Sequence, residues 1–250
     1  MKQLLLIQQL ACILLASNYS CNTVDNNTRQ SSPDPVVINH CTQKEDTAML
    51  SNYIQKIIQQ FEVIPEQRKQ ALEQLTTYIQ QCLASNHPVN LTFICTHNSR
   101  RSHLGQIWAA TAAAHYGIAQ VSCYSGGTEV TAFNPRAVAA VERAGFTVKK
   151  DLTNPTNPVY TIAIPGGGTI SCYSKKYDDA SNPAKNFAAV MTCSQADEAC
   201  PIIPGAATRI SLPYNDPKEA DGTPEEANRY DERCAQIGRE MMYAFSMVKQ

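Results

Sequence analysis

The sequence predicts an α/β fold in which a central parallel sheet carries helices on both of its faces. After Pro88, short runs rich in β-branched residues alternate with longer segments of helical periodicity, which is typical of parallel strands joined by helical crossovers. A chain of 250 residues, 43% of them apolar, is long enough to bury one such core. The strand candidates are residues 89–94, 118–124, 187–192 and 207–212, and the helix candidates are residues 102–116, 134–144 and 224–248.

A β-hairpin is predicted as an insertion in this domain, which is assigned residues 87–250. Apolar residues at 159–164 and 169–173 flank a turn made by one proline and three glycines at 165–168. Because no helix follows the glycines, they are predicted to be turn residues and not a phosphate-binding loop.

Residues 1–21 have the pattern of a secretion signal. Lys2 supplies a positive start, residues 4–16 are mostly apolar, and Cys21 stands where a lipoprotein acceptor would. The segment is too short to span a bilayer as a mature helix. It predicts export, either to the periplasm or to a lipid anchor that tethers the protein to a membrane; if the segment is not a signal, the protein is cytoplasmic.

Two further segments precede the α/β domain. Residues 22–42 are rich in Asn, Thr, Ser and Pro and have few large apolar side chains, so they are predicted to form a flexible linker. Residues 43–86 are predicted to form a helical extension, because apolar residues recur at helical spacing over 47–61 and 65–84. The simplest arrangement of these two helices is an antiparallel pair.

Charge and cysteine spacing exclude several classes of function. A net charge of −1 offers no basic field for nucleic acid, so a small-molecule or protein substrate is expected. The ten cysteines form no C-x-x-C pair, and no His-x-x-x-His is present, so no metal site is predicted. No segment after the N-terminal one is long and apolar enough to be a transmembrane helix.

The chemistry is predicted to lie in the loop after the first buried strand. Cys95 ends that strand, and after five residues Arg101 and Ser102 open a helix. Backbone N–H groups and the helix N-terminus then converge on an anion and favour the thiolate, which Ser102 can assist. Arg101 can grip two anion oxygens, and Asn98 can hold a left-handed turn. The intervening residues predicted to bind the oxyanion or brace the loop are Thr96, His97, Asn98, Ser99 and Arg100. The alternative is a buried structural cysteine followed by a chance arginine.

This loop resembles the active-site loop of the low-molecular-weight tyrosine phosphatase superfamily, and within it the thioredoxin-coupled arsenate reductases. The resemblance covers roughly residues 88–248, and it implies the fold of that superfamily. Residues 153–186 then read as an insertion. The other segments that carry the resemblance are Trp108, residues 124–129 (Tyr-Ser-Gly-Gly-Thr-Glu), 134–138 (Asn-Pro-Arg-Ala-Val), 192–201 (Thr-Cys-Ser-Gln-Ala-Asp-Glu-Ala-Cys-Pro) and Asp216-Pro217.

The resemblance implies a three-cysteine relay. Cys95 attacks arsenate, Cys193 attacks Cys95 and releases arsenite, and Cys200 carries the disulfide to the surface for a thioredoxin-like reductant. It also makes Asp216 the general acid and Ser125 a brace of the loop. The alternatives are a static Cys193–Cys200 disulfide, an Asp216 on a surface turn, and a simple turn hydroxyl at Ser125.

Some positions depart from the family pattern. The reductases carry an acidic residue where this chain has Gln106, which puts a potassium ion near the loop in doubt, so no bound cofactor is predicted. His97 and Arg100 are bulkier than their usual counterparts and narrow the pocket towards a small oxyanion; His97 can equally be a surface histidine.

Three functions are therefore considered. The first is a thiol-dependent arsenate reductase, and the second is a phosphatase that hydrolyses phosphate monoesters through a phosphocysteine. The third is a noncatalytic oxyanion-binding or thiol-sensing protein. The Cys193–Cys200 pair favours reduction, whereas the insertion could shape a face for a larger substrate.

Overall fold

The computed structural model describes residues 40–200 and 202–249, with side chains from Ala48 onward. The helices are α1 (His40–Ile58), α2 (Glu66–Ala84), α3 (Arg101–His115), α4 (Pro135–Arg143), α5 (Ser194–Ala199) and α6 (Glu226–Ser246). The strands are β1 (Val89–Cys95), β2 (Val121–Gly127), β3 (Val148–Asp151), β4 (Val159–Ile164), β5 (Gly168–Cys172), β6 (Phe187–Met191) and β7 (Ala206–Ser211), and two 3-10 helices cover Phe61–Val63 and Pro217–Ala220. The predicted signal at 1–21 and residues 22–39 of the predicted linker lie outside the described residues and stay predictions. Residues 40–42, which were assigned to the linker, belong to α1 instead.

The central sheet has four strands in the order β2-β1-β6-β7, and every pairing in it is parallel. Residues alternate between its two faces, as the pleat of a strand requires. Leu91, Phe93 and Val190 belong to the larger core, whereas Ile94 and Met191 belong to a second, smaller core. The predicted fold class is confirmed, and the carboxyl ends of β1 and β6 lie side by side at one edge of the sheet.

Helices cover the two faces unequally. The larger core contains side chains from α1, α2, α3, α4 and α6, and its largest fully buried member is Trp108 of α3. Trp108 fits against α6 because position 238 is glycine: a Cβ there would stand 2.8 Å from the indole ring. The smaller core is closed by the six-residue α5, with Tyr177 of the insertion packed against it.

The two N-terminal helices are correctly predicted, but their arrangement is not. Each helix packs chiefly against α6 and not against the other. Thr76 of α2 donates to the carbonyl of Ala244 at 2.8 Å, and Phe61 meets Tyr243 edge-on. The predicted antiparallel pair is therefore wrong, because α6 offers both helices a larger apolar surface than either offers the other.

The predicted hairpin is present and has a third strand. β4 pairs with β5 in antiparallel fashion, and β3 pairs with the other side of β4. β3 escapes prediction because its sequence is Val-Lys-Lys-Asp and it buries almost nothing. Across residues 40–200 and 202–249, the structure contains no helix with the length and apolarity needed to cross a membrane.

Candidate active site

The predicted nucleophile loop is built around one chain of hydrogen bonds. Cys95 ends β1 and is almost fully buried. Asn98 has a φ of 43°, in the left-handed region that asparagine tolerates, and its Nδ2 donates to Ser102 Oγ at 2.8 Å. Ser102 Oγ lies 3.1 Å from Cys95 Sγ. Because the Asn98 amide already donates to this hydroxyl, the hydroxyl hydrogen is free to point at the sulfur.

The carbonyl groups of the loop are held from outside by the segment that follows β2. Thr128 Oγ1 donates to the Thr96 carbonyl at 3.1 Å, and the Asn134 N–H donates to the Ser99 carbonyl at 2.9 Å. Gly127 makes this close approach possible, because a Cβ there would stand 2.7 Å from both Asn98 N and Thr96 O. Since these carbonyls are engaged outside, the loop N–H groups and the start of α3 are left for an anion.

Arg101 and Asp216, both predicted site residues, are brought together. The Arg101 guanidinium donates to Asp216 Oδ2 at 2.8 Å and to the Tyr214 carbonyl at 2.9 Å. Its Nε is buried and has no hydrogen-bond partner among the described residues. Asp216 is no simple surface residue: it also caps the 3-10 helix by accepting from Lys218 N. The arginine thus has a donor left over for an oxyanion.

Arg100 lies in a group of residues that the sequence did not indicate. Its Nε donates to Tyr230 OH at 2.9 Å, and Tyr230 donates to Asp221 at 2.8 Å. Burial, with the bond to Asp221, raises the pKa of Tyr230 to about 12, so this hydroxyl keeps its proton. Tyr230 lies within the last predicted helix, residues 224–248, for which the sequence indicates no site residue. Its contact with Arg100 joins residues 130 apart in sequence and has no local signal.

His97 and Ser125 are placed differently from the other predicted loop residues. The His97 side chain is half exposed and lies 3.3 Å from Glu129, which fits its alternative reading as a surface histidine. Ser125 Oγ lies 3.1 Å from His103 Nδ1, so it braces the first turn of α3 and not residues 96–100 directly. Burial, and secondarily the Lys175 ammonium, lowers the pKa of His103 to about 3. This buried, neutral histidine was not predicted.

The two further cysteines of the predicted relay flank α5. Cys193 is fully buried. Its sulfur accepts a hydrogen bond from Ala196 N and lies 3.5 Å from Thr96 Oγ1. Cys200, at the other end of the helix, is partly exposed and packs against the smaller core, which contains both Cys95 and Cys193. All three are free thiols. The structure therefore gathers the three predicted cysteines around one apolar cluster.

Gln106 does not suit a potassium ion. Its Nε2 donates to the Cys123 carbonyl at 3.1 Å, and its Oε1 accepts from Cys172 Sγ. Both ends of this neutral amide are engaged by protein groups, so it offers no carboxylate to a cation. Burial raises the pKa of Cys172 and Cys234 to about 12, so these thiols stay protonated and inert.

Comparison with known proteins places this site in a family. The profile of the family described as low molecular weight phosphotyrosine protein phosphatase matches residues 90–159. An arsenate reductase of Shouchella clausii is 30% identical over 134 residues, 54% of this chain and 78% of that protein. An arsenate reductase of Bacillus subtilis is 28% identical over the same shares. Among solved structures, a thioredoxin-dependent arsenate reductase of Corynebacterium glutamicum is 19% identical, with 73% of this chain and 71% of that chain covered and a TM-score of 0.36.

The parallel sheet, the Cys95 loop and Arg101 define the class of cysteine-dependent enzymes that act on oxyanions. Within that class, the chain belongs to the low-molecular-weight tyrosine phosphatase superfamily, near its arsenate reductases.

Proposed function

We propose that this protein is a thiol-dependent arsenate reductase that works through a relay of Cys95, Cys193 and Cys200. The observation that carries the proposal is the grouping of these three free thiols at one apolar cluster, with Cys193 Sγ 3.5 Å from the hydroxyl of the residue that follows the nucleophile. A phosphatase would need only the nucleophile Cys95 among these three cysteines. The names of the relatives support the same reading.

The first step forms a bond between Cys95 and arsenic. The Cys95 thiolate attacks arsenate, one arsenate oxygen takes up protons and leaves as water, and a thioester of arsenic(V) remains. Arg101 and the loop N–H groups hold the other oxygens. Asp216 lies 2.8 Å from the guanidinium that grips the anion, so its carboxyl group is placed to relay a proton from another arsenate oxygen to the departing one.

The next two steps are thiol exchanges. The Cys193 thiolate attacks the Cys95 sulfur, and the electron pair of the broken sulfur–arsenic bond passes to arsenic, which leaves as arsenite. Cys200 then attacks Cys193, which frees Cys95 as a thiolate and leaves a Cys193–Cys200 disulfide. A dithiol protein of the thioredoxin class, which is no resident cofactor, would reduce that disulfide.

The last exchange requires α5 to unwind. Seven residues at a helical rise of about 1.5 Å each separate Cys193 from Cys200 by about 10 Å along the helix. A disulfide needs Cα atoms no more than about 7 Å apart. The helix is only six residues long and is exposed on one side, so it can open without disturbing the sheet.

A phosphatase is the second candidate, and the Arg101–Asp216 contact favours it. An arginine on the phosphoryl oxygens with a carboxyl beside the leaving group is sufficient to hydrolyse a phosphate monoester through phosphocysteine. In that case Cys193 and Cys200 would have no catalytic task.

Paired assays separate the candidates. Cys95→Ser, Cys193→Ser and Cys200→Ser would each abolish arsenate turnover coupled to a thioredoxin system, while hydrolysis of a small aryl phosphate would depend on Cys95 alone. Cys82→Ser is the matched control, because Cys82 is also a partly buried free cysteine but lies on α2, outside the cluster. Normal arsenate reduction in both relay variants would disprove the relay. Anion binding without either reaction would point to the noncatalytic reading.

A further inference from the structure

Residues 153–186 contain two polar residues that contact the nucleophile loop directly, Ser174 and Lys175, and a third, Asn157, that holds Ser174 in place. We call Asn157, Ser174 and Lys175 the strap. Ser174 is 1% exposed and Lys175 is 5% exposed, so both are buried although they belong to an insertion at the surface of the domain. Insertions usually tolerate sequence changes because they make few contacts with the rest of the domain. This insertion differs, because it places buried residues against the nucleophile loop.

Asn157 and Ser174 hold each other. Asn157 Nδ2 donates to the Ser174 carbonyl at 2.8 Å, and the Ser174 N–H donates to Asn157 Oδ1 at 3.0 Å. This pair of bonds fixes the backbone at Ser174. The Ser174 hydroxyl then donates to the His97 carbonyl at 2.9 Å and accepts from Thr131 N at 2.9 Å. The strap therefore joins the loop to the segment that braces it.

Lys175 reaches the centre of the loop through its backbone. Its N–H donates to Asn98 Oδ1 at 2.9 Å, and its carbonyl accepts from Gly127 N at 2.9 Å. A backbone N–H is only a donor, so it fixes the oxygen end of the Asn98 amide towards the strap. The nitrogen end must then face Ser102, which leaves the Ser102 hydroxyl hydrogen for Cys95.

We propose that the strap is a positioning element of the active site: Asn157 and Ser174 hold the Lys175 N–H against Asn98, and through Asn98 and Ser102 this contact sets the reactivity of the Cys95 thiolate. The proposal rests on the proposed function only in taking Cys95 as the nucleophile, and it holds for arsenate reduction and for phosphate hydrolysis alike. Arg101 grips the anion in either case and is not part of this chain of bonds.

The test measures the thiolate itself, by alkylation of Cys95 with iodoacetamide in the otherwise unchanged full chain, followed site by site with peptide mass spectrometry. Asn157→Ala and Ser174→Ala should slow alkylation at neutral pH by roughly two- to tenfold, the range expected for one lost hydrogen bond. They should also move the pH midpoint of the reaction upward and lower kcat more than they raise KM. Asn157→Asp keeps the acceptor and loses the donor, so it should fall between Asn157→Ala and the parent.

Ser181→Ala is the matched control. Ser181 lies in the same insertion and its hydroxyl is hydrogen-bonded to Asp179 and Tyr173, but it makes no bond to the loop. It should leave both the rate and the pH midpoint unchanged. Thermal unfolding of every variant separates loss of fold from loss of reactivity.

The proposal would be overturned if the strap variants melt earlier but alkylate at the parent's rate and pH midpoint, because the strap would then only stabilise the domain. It would also be overturned if Ser102→Ala slows alkylation and Asn157→Asp, well folded, does not. A parent protein that reduces no arsenate but shows the expected alkylation pattern would refute the proposed function and support the strap.

Discussion

Two cysteine-bearing segments meet at the same edge of the sheet, and they are held in opposite ways. The loop from Cys95 to Ser102 is braced on the outside by residues 127–134 and by the strap, and its centre is fully buried. The segment from Cys193 to Cys200 is one short helix on the less covered face. The loop around a thiolate nucleophile needs a fixed geometry to stabilise charge, whereas a thiol that must move during the reaction needs few attachments.

Apart from the buried Cys193, whose sulfur lies 3.5 Å from Thr96 Oγ1, the second segment is attached to the domain at its periphery. Arg209 forms an ion pair with Asp197, and its Nε donates to the Cys200 carbonyl at 3.2 Å. Ser211 Oγ donates to Asp197 at 2.6 Å. These bonds fasten α5 to β7 by its polar side, and none of them touches the Cys95 loop. The two segments can therefore be altered separately, and the predictions below use that separation.

Arg101→Lys should have the largest effect. Lysine keeps the charge but cannot hold an anion and Asp216 with one planar group, because its donors arise from a single nitrogen. We expect kcat/KM to fall by about 100-fold or more for every oxyanion substrate. Steady-state kinetics with arsenate and with an aryl phosphate would check this. A loss confined to one substrate would show that Arg101 does not serve a shared anion site.

Gly127→Ala should damage the rigid segment next most severely. The new Cβ would stand 2.6 Å from the Glu129 carbonyl and 2.7 Å from Asn98 N, so the backbone of the loop must move. Overpacking of this kind costs about 1–3 kcal/mol of unfolding free energy. Chemical denaturation gives that figure, and alkylation of Cys95 should slow in parallel. Gly167→Ala, in the exposed hairpin turn, is the opposite case: Gly167 has a positive φ of 89°, which Gly127 does not, but a Cβ there meets nothing, so the two variants separate crowding from backbone strain.

The loop from Cys95 to Ser102 could be predicted from sequence because its residues are close together in the chain. Cys95, Asn98, Arg101 and Ser102 lie within one turn and the start of one helix, and their spacing alone indicates their roles. The strap could not be predicted, because Ser174 and Lys175 reach the loop across 77 residues, and a turn hydroxyl carries no signature of its target.

For the segment from Cys193 to Cys200, the sequence predicts the role of the cysteines but not the helix between them. Residues 194–199 are mostly polar and too short to show helical periodicity, and the helix begins only because the Cys193 sulfur takes the place of a capping oxygen. Its fastening by Arg209 depends on the pairing of β6 with β7, which fixes which side chains of β7 lie beside α5.

The domain should also show a pH dependence of stability that arises at the base of the Cys95 loop. His103 at the base of the loop has a pKa of about 3 in the folded chain, lowered from 6.5, chiefly by burial. The unfolded chain therefore binds the proton more readily, so stability is present above about pH 6.5 and is lost as the pH falls towards 3. The slope should be about 1.4 kcal/mol per pH unit at most. Urea denaturation from pH 7 to pH 4 measures it, and His103→Gln should flatten the curve. His115→Gln, on an exposed residue at the end of α3, should leave it unchanged.

Arg209→Ala should have the smallest effect on the fold and the most selective effect on the chemistry. Removing the guanidinium deletes the ion pair with Asp197 and the bond to the Cys200 carbonyl, so α5 should open more often while the Cys95 loop stays intact. Because the pair is partly exposed, the loss of unfolding free energy should stay below about 1 kcal/mol. We expect alkylation of Cys200, and formation of the Cys193–Cys200 disulfide, to quicken by roughly two- to fivefold, the change expected for a fraction of a kcal/mol in the opening equilibrium. Aryl phosphate hydrolysis should not change. Arg143→Ala is the control, since it removes a comparable surface pair with Asp231 between α4 and α6. If Cys200 reacts no faster in Arg209→Ala than in that control, α5 is not fastened by its polar side, and the opening that the relay requires must begin at the buried Cys193 cap.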